Sequence, residues 1–174
     1  CTAAPINVSE RLEPMLQWPP RLQLANTPTP LTRLDRFSAR FDGIDIWVKH
    51  DELTGMEASG NKIRKLEFSI AQALEEDCDT LITCGGLQSN HCRATAVLGA
   101  RLGLKVHLLL RGEQPAEPDG NLMLDYLAGA EISYLPASRW AEHPEVAAGL
   151  QEDYLAQDHK AFFIPVGASD EIGL

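Results

Sequence analysis

The sequence predicts an α/β protein with a parallel sheet flanked by helices, joined to the incomplete remainder of a second, larger domain. Three observations carry that expectation. Short apolar runs and helical periodicities alternate from residue 60 onward, glycines stand where the helices should stop, and prolines crowd the first 32 residues, apart from the alternation. Parallel neighbours need crossover connections and helices supply them, so this alternation implies helices on both faces of one parallel sheet.

Within residues 1–32, Pro19-Pro20 and Thr27-Pro28-Thr29-Pro30 exclude helix, because proline lacks an N–H and biases its predecessor toward extended backbone. They predict an irregular arm that packs on something else. Ile44-Asp45-Ile46-Trp47-Val48 alternates and is rich in β-branched and aromatic residues, as a half-buried strand should be. A polar, Gly-containing loop follows over residues 49–60. Ile63, Leu66, Ile70 and Leu74 then fall on one helix face. Residues 80–84 read as a short buried strand, Gly85-Gly86 as a turn, and residues 89–102 as an Ala-rich helix closed by Gly103. A second strand is expected over 104–110, a helix over 121–128 ending at Gly129, and a third strand over 131–135. A last helix opens near Pro144, whose fixed φ suits a first turn, and Phe162-Phe163-Ile164 makes the fourth strand. The domain division that follows is 1–59 as arm and strand of the larger domain, 60–164 as the small α/β domain, and 165–174 as the start of the return, breaking off in a new Gly-containing loop.

Composition narrows the partners. With 174 residues and a formal charge of −10, the chain lacks the clustered Lys and Arg needed to bind phosphates by counterion release, so no nucleic-acid partner is expected. No apolar run approaches the roughly 20 residues that cross a bilayer, so no membrane partner is expected either. Cys1, Cys78, Cys84 and Cys92 are scattered in a chain long enough to be stable without staples, which fits a reducing, cytoplasmic setting. The sequence has no initiator Met, so processing and organelle import stay open.

Two segments carry chemistry. In Ser59-Gly60-Asn61-Lys62-Ile63-Arg64-Lys65 a glycine-bearing loop runs into a helix and puts a lysine in the first turn. The positive helix end and the neighbouring cations favour its neutral amine, the form that attacks an aldehyde. The plain alternative is a solvated basic cluster. In Cys84-Gly85-Gly86-Leu87-Gln88-Ser89-Asn90-His91 a strand, a tight turn and a helix start would expose backbone N–H groups as an anion site. There the alternative is a simple cap by Ser89 or Asn90. The segment has no Gly-Lys-Ser/Thr run, which excludes a Walker-type loop. Cys84, His91, Cys92 and His107 match no usual zinc spacing, so no metal is expected, and no Gly-x-Ser-x-Gly elbow is present.

Taken together, Lys49-His50-Asp51-Glu52-Leu53-Thr54-Gly55-Met56, residues 59–68 and Gly85-Gly86-Leu87-Gln88-Ser89-Asn90-His91-Cys92-Arg93 closely resemble the D-cysteine desulfhydrase and 1-aminocyclopropane-1-carboxylate deaminase family. The resemblance extends over roughly 28–174, including Thr29-Pro30-Leu31, Gly120-Asn121-Leu122 and Ile164-Pro165-Val166-Gly167. It implies the tryptophan-synthase-β-like fold, with pyridoxal 5'-phosphate between a small and a large domain and a homodimer as the whole assembly. It also implies a Schiff-base role for Lys62, which then moves the proton at the substrate Cα, and a carboxylate-binding loop made of Ser89, Asn90 and His91. In that picture Ser89 is in addition a nucleophile or proton relay, and Asn90 faces the cofactor's phenolic oxygen. Departures from the family pattern, Lys49-His50-Asp51-Glu52 and Val166-Gly167-Ala168-Ser169-Asp170, leave Lys62 untouched. The family's phosphate-binding loop and the partner of its pyridine nitrogen are implied to lie past Leu174, so this stretch by itself is expected to be short of groups for activity. The implied reaction is β-elimination from D-cysteine, a small amino-acid substrate, with aminocyclopropane-carboxylate deamination as the alternative. His91 leans to the former, since the deaminase branch more often has Gln there. A rival of another class is a non-catalytic homologue that binds a partner through an exposed domain face.

Overall fold

The computed structural model describes residues 18–58 and 60–173. The first part of the predicted arm with Cys1, as well as Ser59 and Leu174, lies outside the described residues. From Trp18 to Pro30 the arm has no helix or strand, as its prolines require. What it packs on is the helix α2 (Lys62–Glu75). Glu67 of that helix, 1% exposed, accepts from Leu24 N and Ala25 N at 2.8 Å each and from Arg21 Nε at 2.7 Å.

The expected strand over 44–48 is shorter and more exposed than its alternation implied. Strand β1 (Leu31–Arg33) pairs antiparallel with β2 (Trp47–Lys49), joined through the short helix α1 (Asp35–Ser38), which the sequence reading did not anticipate. The ladder stops at Ile46, whose carbonyl still accepts from its cross-strand neighbour Leu34 N but whose N–H goes to Ser38 Oγ, both at 2.9 Å. Ile44 and Trp47 are accordingly 56% and 53% exposed.

Beyond α2 come β3 (Thr80–Gly86), α3 (Asn90–Leu102), β4 (Lys105–Arg111), α4 (Gly120–Leu127), β5 (Glu131–Leu135), α5 (His143–Leu155) and β6 (Ala161–Ile164). The four strands form one parallel sheet in the order β5-β4-β3-β6. Alternate residues divide its faces. Leu81, Leu108, Leu110 and Ile164 join α2, α3 and α4 in the main core, whereas Cys84, Leu109, Leu135 and Phe163 meet Val146 of α5. Crossovers of one hand force this split, since the return from β5 to β6 runs the opposite way across the sheet.

Gly85-Gly86 is not the predicted turn. Both residues continue β3, opposite Leu110 and Arg111, and the turn follows at Leu87-Gln88, closed by Ser89 N onto Gly86 O at 3.0 Å. The glycine at 85 serves a close approach, because a Cβ there would lie 2.7 Å from Cys92 Sγ and 2.8 Å from Ser89 Oγ. On α2 the predicted face is buried at Ile63, Leu66 and Ile70, while Leu74 yields its inward place to Ala73.

Candidate active site

The chain leaves β3 for β4 and β5 and comes back on the other side of β3, so the sheet's order reverses between β3 and β6. In open α/β sheets the crevice beyond the carboxyl ends of the strands at such a reversal is where ligands bind. Two connections meet there, the turn 87–89 leading into α3 and the segment Val166–Ala168 that follows β6. A helix feeding a parallel strand runs back along it, so α2 brings its first turn to the same end.

Lys62 is the first residue of α2, after Gly60 at φ +101° and Asn61. Its Nζ lies at the β6 connection: a Cβ on Gly167, which sits at φ +68°, would come within 3.2 Å of it. Glycine at 167 therefore supplies both the left-handed backbone and the room for the amine. The neighbouring cations are committed elsewhere. Arg64 forks onto Asp51 Oδ1 and Oδ2 at 2.8 Å each, which raises the guanidinium pKa and lowers that of the carboxylate. Lys65 Nζ donates to Ala168 O at 3.3 Å and Ser169 Oγ at 3.2 Å. Lys62, half-buried, has no hydrogen-bond or ion-pair partner among the described residues.

On the facing turn, Ser89 caps α3 by accepting from Cys92 N at 3.2 Å, and Gly103 closes the helix at φ +74°. Asn90 is exposed, and its Oδ1 accepts from Asn121 Nδ2 at 2.9 Å, while its amide nitrogen has no partner among the described residues. The same Asn121 donates to Gln88 O and its backbone N–H reaches Gln88 Oε1, so α4 braces the whole turn. His91 points the other way, into the core. It is 3% exposed and its Nε2 meets Thr83 Oγ1 at 2.8 Å, while burial, helped by Lys62 and Lys65, pulls its pKa down to about 4. Ser89 and Asn90 thus stand where β3 passes into α3, with His91 buried in the next position.

Gly167, Thr83 and Asn121 were not singled out by their own chemistry. Thr83 had a readable signal, a hydroxyl in the middle of an apolar strand. Gly167 and Asn121 appeared only as parts of longer strings, because their partners are distant in sequence. Burial pushes the thiols of Cys84 and Cys92 up to about 11 and 12, which leaves both protonated at neutral pH. No group of three or more metal-ligating side chains converges among the described residues.

The family model described as pyridoxal-phosphate dependent enzyme matches residues 22–173. The chain belongs to the pyridoxal-phosphate dependent enzyme family. Relatives within it bear the names that the sequence motifs pointed to. The chain is 41% identical to the bifunctional D-cysteine desulfhydrase/1-aminocyclopropane-1-carboxylate deaminase, mitochondrial, of Arabidopsis thaliana, over 86% of this chain and 39% of that one. It is 43% identical to a putative 1-aminocyclopropane-1-carboxylate deaminase of Thermotoga maritima, over 88% of this chain and 48% of the relative. With the D-cysteine desulfhydrase of Serratia proteamaculans the identity is 38%, over 88% and 47%. The crystal structure of an ACC deaminase homologue superposes with a TM-score of 0.81 at 36% identity, covering 89% of this chain and 47% of that one. O-ureido-L-serine synthase, at 18% identity and a TM-score of 0.62, shares the fold. The chain spans between 39% and 48% of the length of these curated relatives.

The family's cofactor fits what lies at the sheet's reversal: a primary amine without a partner among the described residues and a glycine that keeps space open beside it.

Proposed function

We propose that the protein to which this chain belongs is a pyridoxal-phosphate dependent D-cysteine desulfhydrase, converting D-cysteine and water to pyruvate, ammonia and hydrogen sulfide. The observation that carries the reading is the Lys62 amine, without a partner among the described residues and beside Gly167 at the sheet's reversal point, in a chain of this family. Pyridoxal phosphate, when bound, supplies the carbonyl that an amine can capture and the sink for charge left at Cα.

Lys62 holds the cofactor through its amine and, once freed, takes the proton from the substrate Cα. Ser89 and Asn90 orient the substrate carboxylate, with the start of α3 contributing backbone N–H groups and its positive end. Ser89 keeps its hydroxyl proton for a relay while its oxygen caps the helix, and the amide nitrogen of Asn90 would be the donor for the cofactor's phenolic oxygen. His91 supports that loop from below. Residues 60–164 form the small domain, while 1–59 and 165–174 belong to a larger one, whose remainder would cover the exposed Phe37, Phe41, Ile44, Trp47 and Val166. A homodimer with a small amino-acid substrate, in the cytoplasm, completes the reading. No described helix is long and apolar enough to cross a membrane.

Aminocyclopropane-carboxylate deamination is the second reading, favoured by the names of the Thermotoga relative and of the similar crystal structure. Supplying each substrate to the longest natural form of the protein and measuring sulfide against 2-oxobutyrate separates the two. Sulfide from D-cysteine supports the proposal, and its absence removes it.

A further inference from the structure

The amide of Asn90 is oriented by groups whose own roles cannot be reversed. A side-chain amide has a donor end and an acceptor end of one shape, and its neighbours decide which end faces where. Gln88 O is a backbone carbonyl and can only accept, so the end of the Asn121 amide that meets it at 2.9 Å is Nδ2. The second proton of the same NH2 group meets Asn90 at 2.9 Å, so the Asn90 atom there is the acceptor, Oδ1. The other end, Asn90 Nδ2, keeps both protons and has no partner among the described residues. Gln88 is fixed by the same logic. The Asn121 backbone N–H can only donate, so at 2.8 Å it faces Gln88 Oε1, and Gln88 Nε2 donates to Asp119 O and Oδ1 at 3.2 and 2.9 Å. The connection from β4 to α4 fits closely against the turn. Gly112 and Gly120, both at positive φ, stand near its two ends, where a Cβ would press on Leu87 at 3.2 Å and collide with Gln88 Oε1.

We propose that Asn121 is a positioning residue for Asn90: it fixes the Asn90 amide with the NH2 group as the free end, so that the passage from β3 into α3 offers a donor and not an acceptor. This deepens the proposed function and rests on it for the use of that donor, toward the phenolic oxygen of the cofactor, though the orientation is a property of the protein alone. Among the described residues no other contact selects between the two ends of the Asn90 amide. An amide turned about presents its oxygen, which repels an anionic oxygen where the NH2 group would hold it.

The orientation is read by NMR of the longest natural form of the protein, labelled with ¹⁵N-asparagine and free of cofactor. The side-chain protons of Asn121 should exchange slowly with water and those of Asn90 quickly. Asn121→Asp keeps the shape and the backbone N–H but puts an acceptor where the NH2 group was, and a carboxylate in the first turn of a helix does not weaken α4. The Asn90 amide should then turn about and donate, so that one of its protons slows about tenfold, the worth of one net hydrogen bond. In Asn121→Ala both Asn90 protons should stay fast. Slow Asn90 protons in the unsubstituted protein, or fast ones in Asn121→Asp, overturn the proposal. A second readout is the pH at which the visible band of the bound cofactor changes. A donor to the phenolic oxygen favours its ionised form, so Asn90→Ala should raise that pH by about one unit. Asn121→Ala, which brings no charge, should move it in the same direction. A merely structural Asn121 would lower the unfolding midpoint and leave that pH in place, so an unmoved band in Asn121→Ala beside a shifted one in Asn90→Ala contradicts the proposal. If Asn90→Ala leaves the band unmoved while the exchange pattern holds, the role given to Asn90 in the proposed function fails and its orientation by Asn121 stands.

Discussion

Replacing Gly85 by alanine tests how tightly the end of β3 is packed beneath the Ser89 turn. The added Cβ would lie 2.7 Å from Cys92 Sγ, 2.8 Å from Ser89 Oγ and 2.9 Å from Ser89 Cβ. Ordinary contact begins at 3.4 Å, so the closest pair must separate by 0.7 Å, the difference of 3.4 and 2.7. Neither neighbour is the far end of a flexible chain. Cys92 is buried in α3 and Ser89 is its cap, so the start of the helix has to move. Overpacking of this kind costs about 1–3 kcal/mol. The adjacent Gly86→Ala is the control, since its Cβ meets nothing within 4 Å and its effect should stay within about 0.5 kcal/mol. Urea unfolding of the two variants measures the difference. The double variant Gly85→Ala/Cys92→Ala removes the closest clash and should recover about 1 kcal/mol beyond the sum of the single changes. Equal stabilities for Gly85→Ala and Gly86→Ala, or strict additivity with Cys92→Ala, would refute the packing argument.

Glu67→Ala removes the acceptor shared by Arg21, Leu24 and Ala25, so the arm should detach from α2 at a cost of roughly 1.5–3 kcal/mol, with faster tryptic cleavage at Arg21. Cleavage at the rate of the unsubstituted protein would contradict that latch. Asp125 of α4 is fully buried with neither oxygen hydrogen-bonded, and burial, opposed in part by Arg93, raises its pKa from 3.8 to about 7. The folded state then binds the extra proton, so stability is greatest below pH 3.8 for this group and is lost as pH rises toward about 7. Asp125→Asn should therefore be the more stable form at pH 8, by up to about 4 kcal/mol, and nearly equal at low pH. Urea midpoints across that range check this, and a substitution without effect at pH 8 would rule it out.

Much of the architecture was legible because it is written in local periodicity. The strands β3 to β6 and the helices between them follow apolar runs and glycine stops, but the reversal of strand order is not written there, because crossover handedness fixes only which face each helix covers. The misreadings have physical causes. Gly85-Gly86 carries the composition of a turn, yet the glycine at 85 answers to a helix packed across it, which a linear sequence does not display. Residues 44–48 alternate like a strand, but Ser38 Oγ claims the N–H of Ile46. At the site, Lys62 and Ser89 were readable as a lysine at a helix start and a cap after a strand. What surrounds the Lys62 amine was not, because Gly167 beside it is distant in the sequence.

The central claim is that the Lys62 amine is the group poised to take the cofactor's carbonyl. The direct test is to add pyridoxal phosphate, reduce the adduct with borohydride and map the labelled peptide. Label on Lys62, lost in Lys62→Ala, is the predicted result; label on Lys65 or Lys49 with Lys62 untouched would contradict the account.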